Sequence, residues 1–283
     1  MPTFTNQATL LYNTGVANSN IVTGEILRVL SATKTVLDTG YRPGSPVTYV
    51  VSIVNSGSTP YSNLTVTDDL GAYDLNGTTL YPLDYSGSLN YYVNGSLQAA
   101  PPVTAGPPLV ISGISVPANG NALIIYQATP NSFAPLAPGS ELTNTATIDG
   151  EGLASPLTAT AVLPASEGPI LSITKTLSPT TIAENGTLTY TFLIENLGST
   201  PAAAADNLSV NDTFAPILSN ITVTLDGVTL TTPESYTYDE ATGLFTTVPG
   251  VITVPAATYT QDPQTGVWAT VPGTATLTIS GTV

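Results

Sequence analysis

The chain matches itself at a spacing of 141 residues, and this repeat constrains the fold more than any other feature. LSATKTVLDTGYRPGSPVTYVVSIVNSGSTP (Leu30–Pro60) matches LSITKTLSPTTIAENGTLTYTFLIENLGSTP (Leu171–Pro201). Lys34 and Lys175, Tyr49 and Tyr190, Asn55 and Asn196, and Gly57 and Gly198 are equivalent pairs. After a short insertion at Ala202–Ala205 the match resumes, with NLTVTDDL (Asn63–Leu70) against NLSVNDTF (Asn207–Phe214). Two units follow, residues 28–164 and 165–283, preceded by a segment 1–27 and joined through PASEGP.

Between these landmarks apolar and polar residues alternate with period two, and turns such as NSGSTP, YVNGSL and DEATGLF separate the runs. Charged residues make up 8% of the chain, against about 25% in an average globular protein, so little is present to build amphipathic helices. The reading is all-β, with two tandem sandwiches. Tyr236–Gly250 and Tyr259–Gly273 repeat one hairpin design. Asp239 and Asp262 in their D-x-x-T-G turns read as turn caps rather than metal ligands. No metal and no cofactor is expected.

Net charge is −15, and Arg28, Lys34, Arg42 and Lys175 are the whole basic complement. Such a surface repels nucleic-acid backbones and anionic lipid. No apolar run reaches the length of a membrane span, and no basic-then-apolar leader opens the sequence. The chain has no His and no Cys, which removes zinc sites and nucleophilic triads. No Gly-rich phosphate loop opens a helix. Beyond self-directed crosslinking, no enzyme activity is expected.

The first unit ends in ELTNTATIDGEGLASPLTATAVLPA (Glu141–Ala165), a hairpin that closes its sandwich. In the second unit GTATLTISGTV (Gly273–Val283) aligns with GNALIIYQATP (Gly120–Pro130), and no closing hairpin follows. A matching hairpin stands at the front instead: FTNQATLLYNTGVANSNIVTGEIL (Phe4–Leu27), with Asn6 in the place of Asn144 and Leu27 in that of Leu163. An unfilled sandwich exposes unpaired backbone and core, and an isolated hairpin is marginal in water. Strand addition would satisfy both. The connection from Val22 to Leu30 spans at most about 27 Å, short for reaching past the first unit. The expectation is therefore donation between copies, with Phe4, Asn6, Ala8, Leu10 and Tyr12 as the donor strand. Head-to-tail contacts of this kind do not close and give filaments. The alternative is a natural chain that continues past Val283, which leaves the leading hairpin unexplained.

Parity turns both lysines inward. Lys34 shares a face with Leu30, Ala32 and Val36, and Lys175 with Leu171, Ile173 and Leu177. Asp68 falls in line with Leu64, Val66 and Leu70, Asp212 with Leu208, Val210 and Phe214, and Asn144 with Leu142, Ala146 and Ile148. An unpaired buried ammonium is costly, so the two aspartates are the candidate partners. Lys, Asp and Asn buried together resemble the isopeptide-forming sites of Gram-positive pilin and adhesin domains. That resemblance implies a Lys34–Asn144 bond within the first unit and a Lys175–Asn6 bond between copies, with Asp68 and Asp212 as assisting acids. Burial lowers the lysine pKa and raises that of the acid, which leaves a neutral amine to attack the amide. The plain alternative is a buried ion pair with Asn as hydrogen-bond partner.

The series T-K-T, G-x-x-V/L-T-Y, N-x-G-x-T-P, V-x-D and N-T-A-T-I resembles a repeated envelope domain, domain of unknown function eleven, common in clostridia and in other bacteria and archaea. The resemblance implies immunoglobulin-like sandwiches, an extracellular place on a cell or spore surface, and a structural role. The leading expectation is a subunit of a self-assembling surface filament, its partner another copy of itself. The competing one is an adhesin or carbohydrate-binding module that uses Leu80–Gly95 and the surroundings of Trp268. Asn63 and Asn220 match a glycosylation sequon, which Thr-rich β-proteins produce by chance.

Overall fold

The structure is a computed structural model that describes residues 3–25 and 27–283. It is all-β. A single 3-10 turn at Ala204–Asp206 is the only helical element among the described residues. The chain divides into two compact units, one running to Pro135 and including Glu141–Pro164, the other made of Leu136–Ser140 and Ala165–Val283.

The first unit is a sandwich of two five-stranded antiparallel sheets. One sheet has the order Ser96–Leu97, Leu83–Val93, Gly120–Pro130, Val47–Asn55, Leu30–Val36. The other has the order Val103–Thr104, Leu109–Val116, Tyr61–Asp68, Glu141–Asp149, Leu157–Pro164. Period-two alternation gives each strand one apolar face. Thus Val47, Tyr49, Val51 and Ile53 are buried on one strand, and Ala122, Ile124, Tyr126 and Ala128 on its neighbour. The Glu141–Pro164 hairpin closes the sandwich as expected. Its first strand pairs with Tyr61–Asp68, setting Ala146 opposite Asp68, and its second packs against Leu30–Val36.

The second unit repeats the first sheet with Leu171–Ser178, Thr187–Asn196, Gly273–Thr282, Ser219–Leu225 and Val228–Thr229. The register Asn196 to Gly273 reproduces Asn55 to Gly120, as the alignment requires. Its opposing sheet has three strands, Asn211–Thr213, Leu244–Thr247 and Tyr236–Asp239. Between them lie Tyr190, Phe192, Phe214, Phe245 and Ile279. The sequence NLSVNDTF forms a strand only over Asn211–Thr213, because it pairs on one side alone. Its counterpart Tyr61–Asp68 is flanked on both sides. The two D-x-x-T-G hairpins form as read, turning through Gly243 (φ 76°) and Gly266 (φ 77°), where a side chain would be strained. Asp239 accepts from the amide of Ala241, and Asp262 from those of Gln264 and Thr265, which makes them turn caps. No group of three metal-ligating side chains gathers among the described residues.

Two equivalent asparagines hold the N-x-G-x-T-P turns. Asn55 Nδ2 donates to the carbonyls of Thr59 (2.8 Å) and Pro117 (3.0 Å), and Oδ1 accepts from Gly57 N (2.9 Å). Asn196 makes the same bonds to Thr200, Pro255 and Gly198 and accepts a fourth from Ile170 N. Both side chains are buried. Truncation strands several buried polar groups at about 1–3 kcal/mol each. Asn196→Ala is therefore expected to lower the stability of the second unit by about 3 kcal/mol or more in urea titration.

Residues Thr3–Asn6 pair with Val22–Glu25, and Thr9–Tyr12 with Gly15–Asn18 across a two-residue turn at Asn13 and Thr14. The tight turn, with one extra residue in the second strand between Asn18 and Val22, corrects the sequence alignment of that strand, since Phe4 faces Gly24 and not Leu27. Directly paired residues share a face. One face of the hairpin thus carries Phe4, Asn6, Val22 and Gly24, and the other Thr3, Thr5, Thr23 and Glu25. Among the described residues these strands hydrogen-bond in sheets only with one another. Phe4 and Leu10 are 52% and 65% exposed.

Candidate functional site

In the first unit Lys34 comes from the edge strand of one sheet, Asp68 and Asn144 from adjacent strands of the other, and all three are buried. Lys34 Nζ donates to Asp68 Oδ2 at 2.6 Å, with both side chains at 0% exposure. The backbone N–H of Leu70 donates to Asp68 Oδ1 at 3.0 Å. The structure adds a residue that the parity reading did not single out. The Tyr126 hydroxyl also donates to Asp68 Oδ2, and it accepts from Asn144 Nδ2 at 3.3 Å. Tyr126 stacks on Tyr49 with ring centroids 5.6 Å apart, and Lys34 Nζ lies 5.0 Å from the Tyr49 ring centre. Among the described residues, no group stands in hydrogen-bonding geometry to the Tyr49 hydroxyl or to Asn144 Oδ1. Next to this cluster Asp69 accepts from Thr145 N at 2.8 Å and fastens the closing strand.

Desolvation dominates the electrostatics. It pushes the Lys34 ammonium below its ordinary range, against the pull of Asp68. Burial also raises the Asp69 carboxyl and the phenols of Tyr41, Tyr49 and Tyr126. A phenol whose folded pKa is raised contributes stability that is complete below its unfolded pKa near 10 and lost as pH rises beyond it. Above pH 10 these three tyrosines together are expected to remove about 4 kcal/mol per pH unit. Urea midpoints of the first unit measured between pH 9 and 11.5 check this.

The second unit brings together only part of the set. Lys175 pairs with Asp212, but their side chains are 40% and 19% exposed. Lys175 Nζ lies 4.4 Å from the Tyr190 ring centre and 5.6 Å from that of Phe214, so it points inward as parity requires. What differs is cover. Every residue of Leu171–Ser178 is exposed, whereas Leu30 and Lys34 on the equivalent strand are buried. A cleft of about 190 Å³ opens beside it, lined by Leu171, Ile173, Ile194, Leu208, Val210 and Ile252. Leu30, Ile53, Leu64 and Val66, which hold equivalent positions in the first unit, are buried. The position of Tyr126 is taken by Ile279. Asn6 lies exposed on the hairpin of the first unit.

The chain is thus a tandem of β-sandwich units in which one lysine site is sealed by a hairpin and its equivalent is open. No family model matches it, and no curated protein does. Among solved structures it is similar to BcpA, the major pilin subunit of Bacillus cereus, at 12% identity over 95% of this chain and 73% of that one, TM-score 0.36. It is similar to the pilus backbone of Streptococcus pneumoniae at 12% identity over 86% and 55%, TM-score 0.34. A family 123 glycoside hydrolase from Clostridium perfringens matches at 10% identity over 49% of this chain, TM-score 0.32, and this chain spans 27% of its length. Scores of this size mark a partial likeness, and function rests on this chain's own geometry.

Proposed function

We propose that this protein is the structural subunit of an extracellular surface filament, assembled head-to-tail. The N-terminal hairpin of one copy completes the second sandwich of the next. One observation carries the reading: the face that Glu141–Pro164 covers in the first unit is bare in the second, while an amphipathic hairpin of matching pattern lies exposed in the same chain. Docked in the register of the first unit, Phe4, Asn6, Ala8 and Leu10 take the places of Leu142, Asn144, Ala146 and Ile148. Thr5, Thr23 and Glu25 stay on the wet side. Burying Phe4 and Leu10 alone is worth about 3–6 kcal/mol, and the backbone of Asn211–Thr213 gains a second ladder.

Docking also brings Asn6 to Lys175 and Asp212, the counterparts of Asn144, Lys34 and Asp68, with Ile279 where the first unit has Tyr126. The filament is then sealed by isopeptide bonds, one within each copy and one across each joint. Electron microscopy of the purified protein is expected to show fibres that persist in hot detergent, with Lys34–Asn144 and Lys175–Asn6 peptides in their digests. Monodisperse particles would overturn the assembly. Fibres that dissolve in hot detergent would leave strand exchange and remove the covalent seal.

A further inference from the structure

Three hydrogen bonds connect the amine to the amide nitrogen that would leave. Lys34 Nζ donates to Asp68 Oδ2, the Tyr126 hydroxyl donates to the same oxygen, and Asn144 Nδ2 donates to the Tyr126 hydroxyl. Tyr126 is thus interposed between the acid and the amide, and the structure gives no direct bond from Asp68 to Asn144. The hydroxyl is buried within a stack on Tyr49, so no bulk solvent competes for the proton.

Resting on the isopeptide reading above, we propose that Tyr126 is a catalytic proton carrier that delivers the proton ammonia needs in order to leave Asn144. Lys34 passes one proton to Asp68 and its nitrogen lone pair attacks Cγ of Asn144, forming the Nζ–Cγ bond. Asp68 gives that proton to the Tyr126 oxygen while the Tyr126 O–H proton moves to Nδ2. The Cγ–Nδ2 bond breaks and ammonia departs. Asp68 then takes the second proton from Nζ, leaving a neutral amide and a neutral acid. The ion pair has become an amide, a carboxylic acid and ammonia, with Tyr126 returned to its starting state.

General acid–base groups contribute about 100-fold or more to such steps, and burial lowers the Lys34 pKa in the direction the attack requires. The test follows the full-length chain made by cell-free synthesis. Samples are quenched at intervals and digested, and the Lys34–Asn144 peptide, 17 mass units lighter by the loss of ammonia, is counted. Tyr126→Phe keeps the stacked ring and is expected to slow its appearance about 100-fold or more, with folding checked by near-ultraviolet circular dichroism. A folded Tyr126→Phe chain that crosslinks at the wild-type rate would overturn the carrier role and leave the crosslink standing. A wild-type chain that never yields the peptide would remove the crosslink, and the carrier with it. Should Tyr126→Phe not fold, 3,5-difluorotyrosine placed at 126 keeps ring and hydroxyl while making the phenol more acidic. The carrier role then requires a changed rate, and an unchanged rate contradicts it.

Discussion

A chain lacking residues 1–25 is expected to fold and to remain monomeric at concentrations where the whole protein forms fibres. Among the described residues the hairpin's four strands pair only with one another, so its loss should change the stability of either unit by no more than about 0.5 kcal/mol. Its loss to assembly should be complete, because among the described residues no other strand pairs on the bare side of Asn211–Thr213. Phe4→Asp should act the same way. It sets a carboxylate where the first unit buries Leu142, and an unpaired charge there costs more than the joint gains. Sedimentation velocity and urea titration, run together, separate the two effects. Fibres formed by the shortened chain would mean that another surface makes the joint.

The second large effect is an asymmetry between equivalent aspartates. Asp68→Ala leaves the Lys34 ammonium buried without its partner, which typically costs 3–5 kcal/mol. For a unit of this size that is a fall in melting temperature of about 10–20 °C. Asp212→Ala removes an ion pair whose lysine is 40% exposed, so water replaces the carboxylate and the monomer should lose less than about 1 kcal/mol. The same substitution becomes severe in the fibre, where the docked hairpin would seal Lys175 away from water. The result predicted is a monomer of near-normal stability that assembles poorly. Calorimetry of the monomers and a pelleting assay measure the two halves. Equal destabilisation by both substitutions would show that the second site is already closed in the isolated chain.

Much of this was legible in the residues. The 141-residue repeat locates both sandwiches, and parity turns Lys34, Asp68 and Asn144 to one interior, because a strand facing a second sheet has no other place for every second residue. Tyr126 was not visible by that route. Between Ile124 and Ala128 it reads as one more apolar filler, and the repeat replaces it with Ile279. The available signal was chemical: a buried tyrosine hydroxyl usually finds a partner, and Asp68 lies on the facing sheet. The hairpin register was also hidden. It follows from a two-residue turn at Asn13 and Thr14, which lacks the Asn-Gly signature of such turns, and from one extra residue in the second strand between Asn18 and Val22. An odd shift in register exchanges the faces of a strand, so the turn and the extra residue together decide that Val22, and neither Ile21 nor Glu25, accompanies Asn6. Nor did parity foretell how exposed Lys175 is, since an inward direction buries a side chain only where a second layer covers it.

Disulfide trapping tests most directly whether the second sandwich is completed by another copy. The chain has no cysteine of its own, so each one introduced reports a single position. In the first unit Thr147 stands opposite Thr67 on the outer face of the closing pair. The equivalent positions across the proposed joint are Thr9 and Asn211. A chain carrying only Thr9→Cys, mixed with one carrying only Asn211→Cys and oxidised, should give a disulfide between the two different chains. A bond that forms only within single chains carrying both substitutions, or no bond in the mixture, would contradict donation between copies.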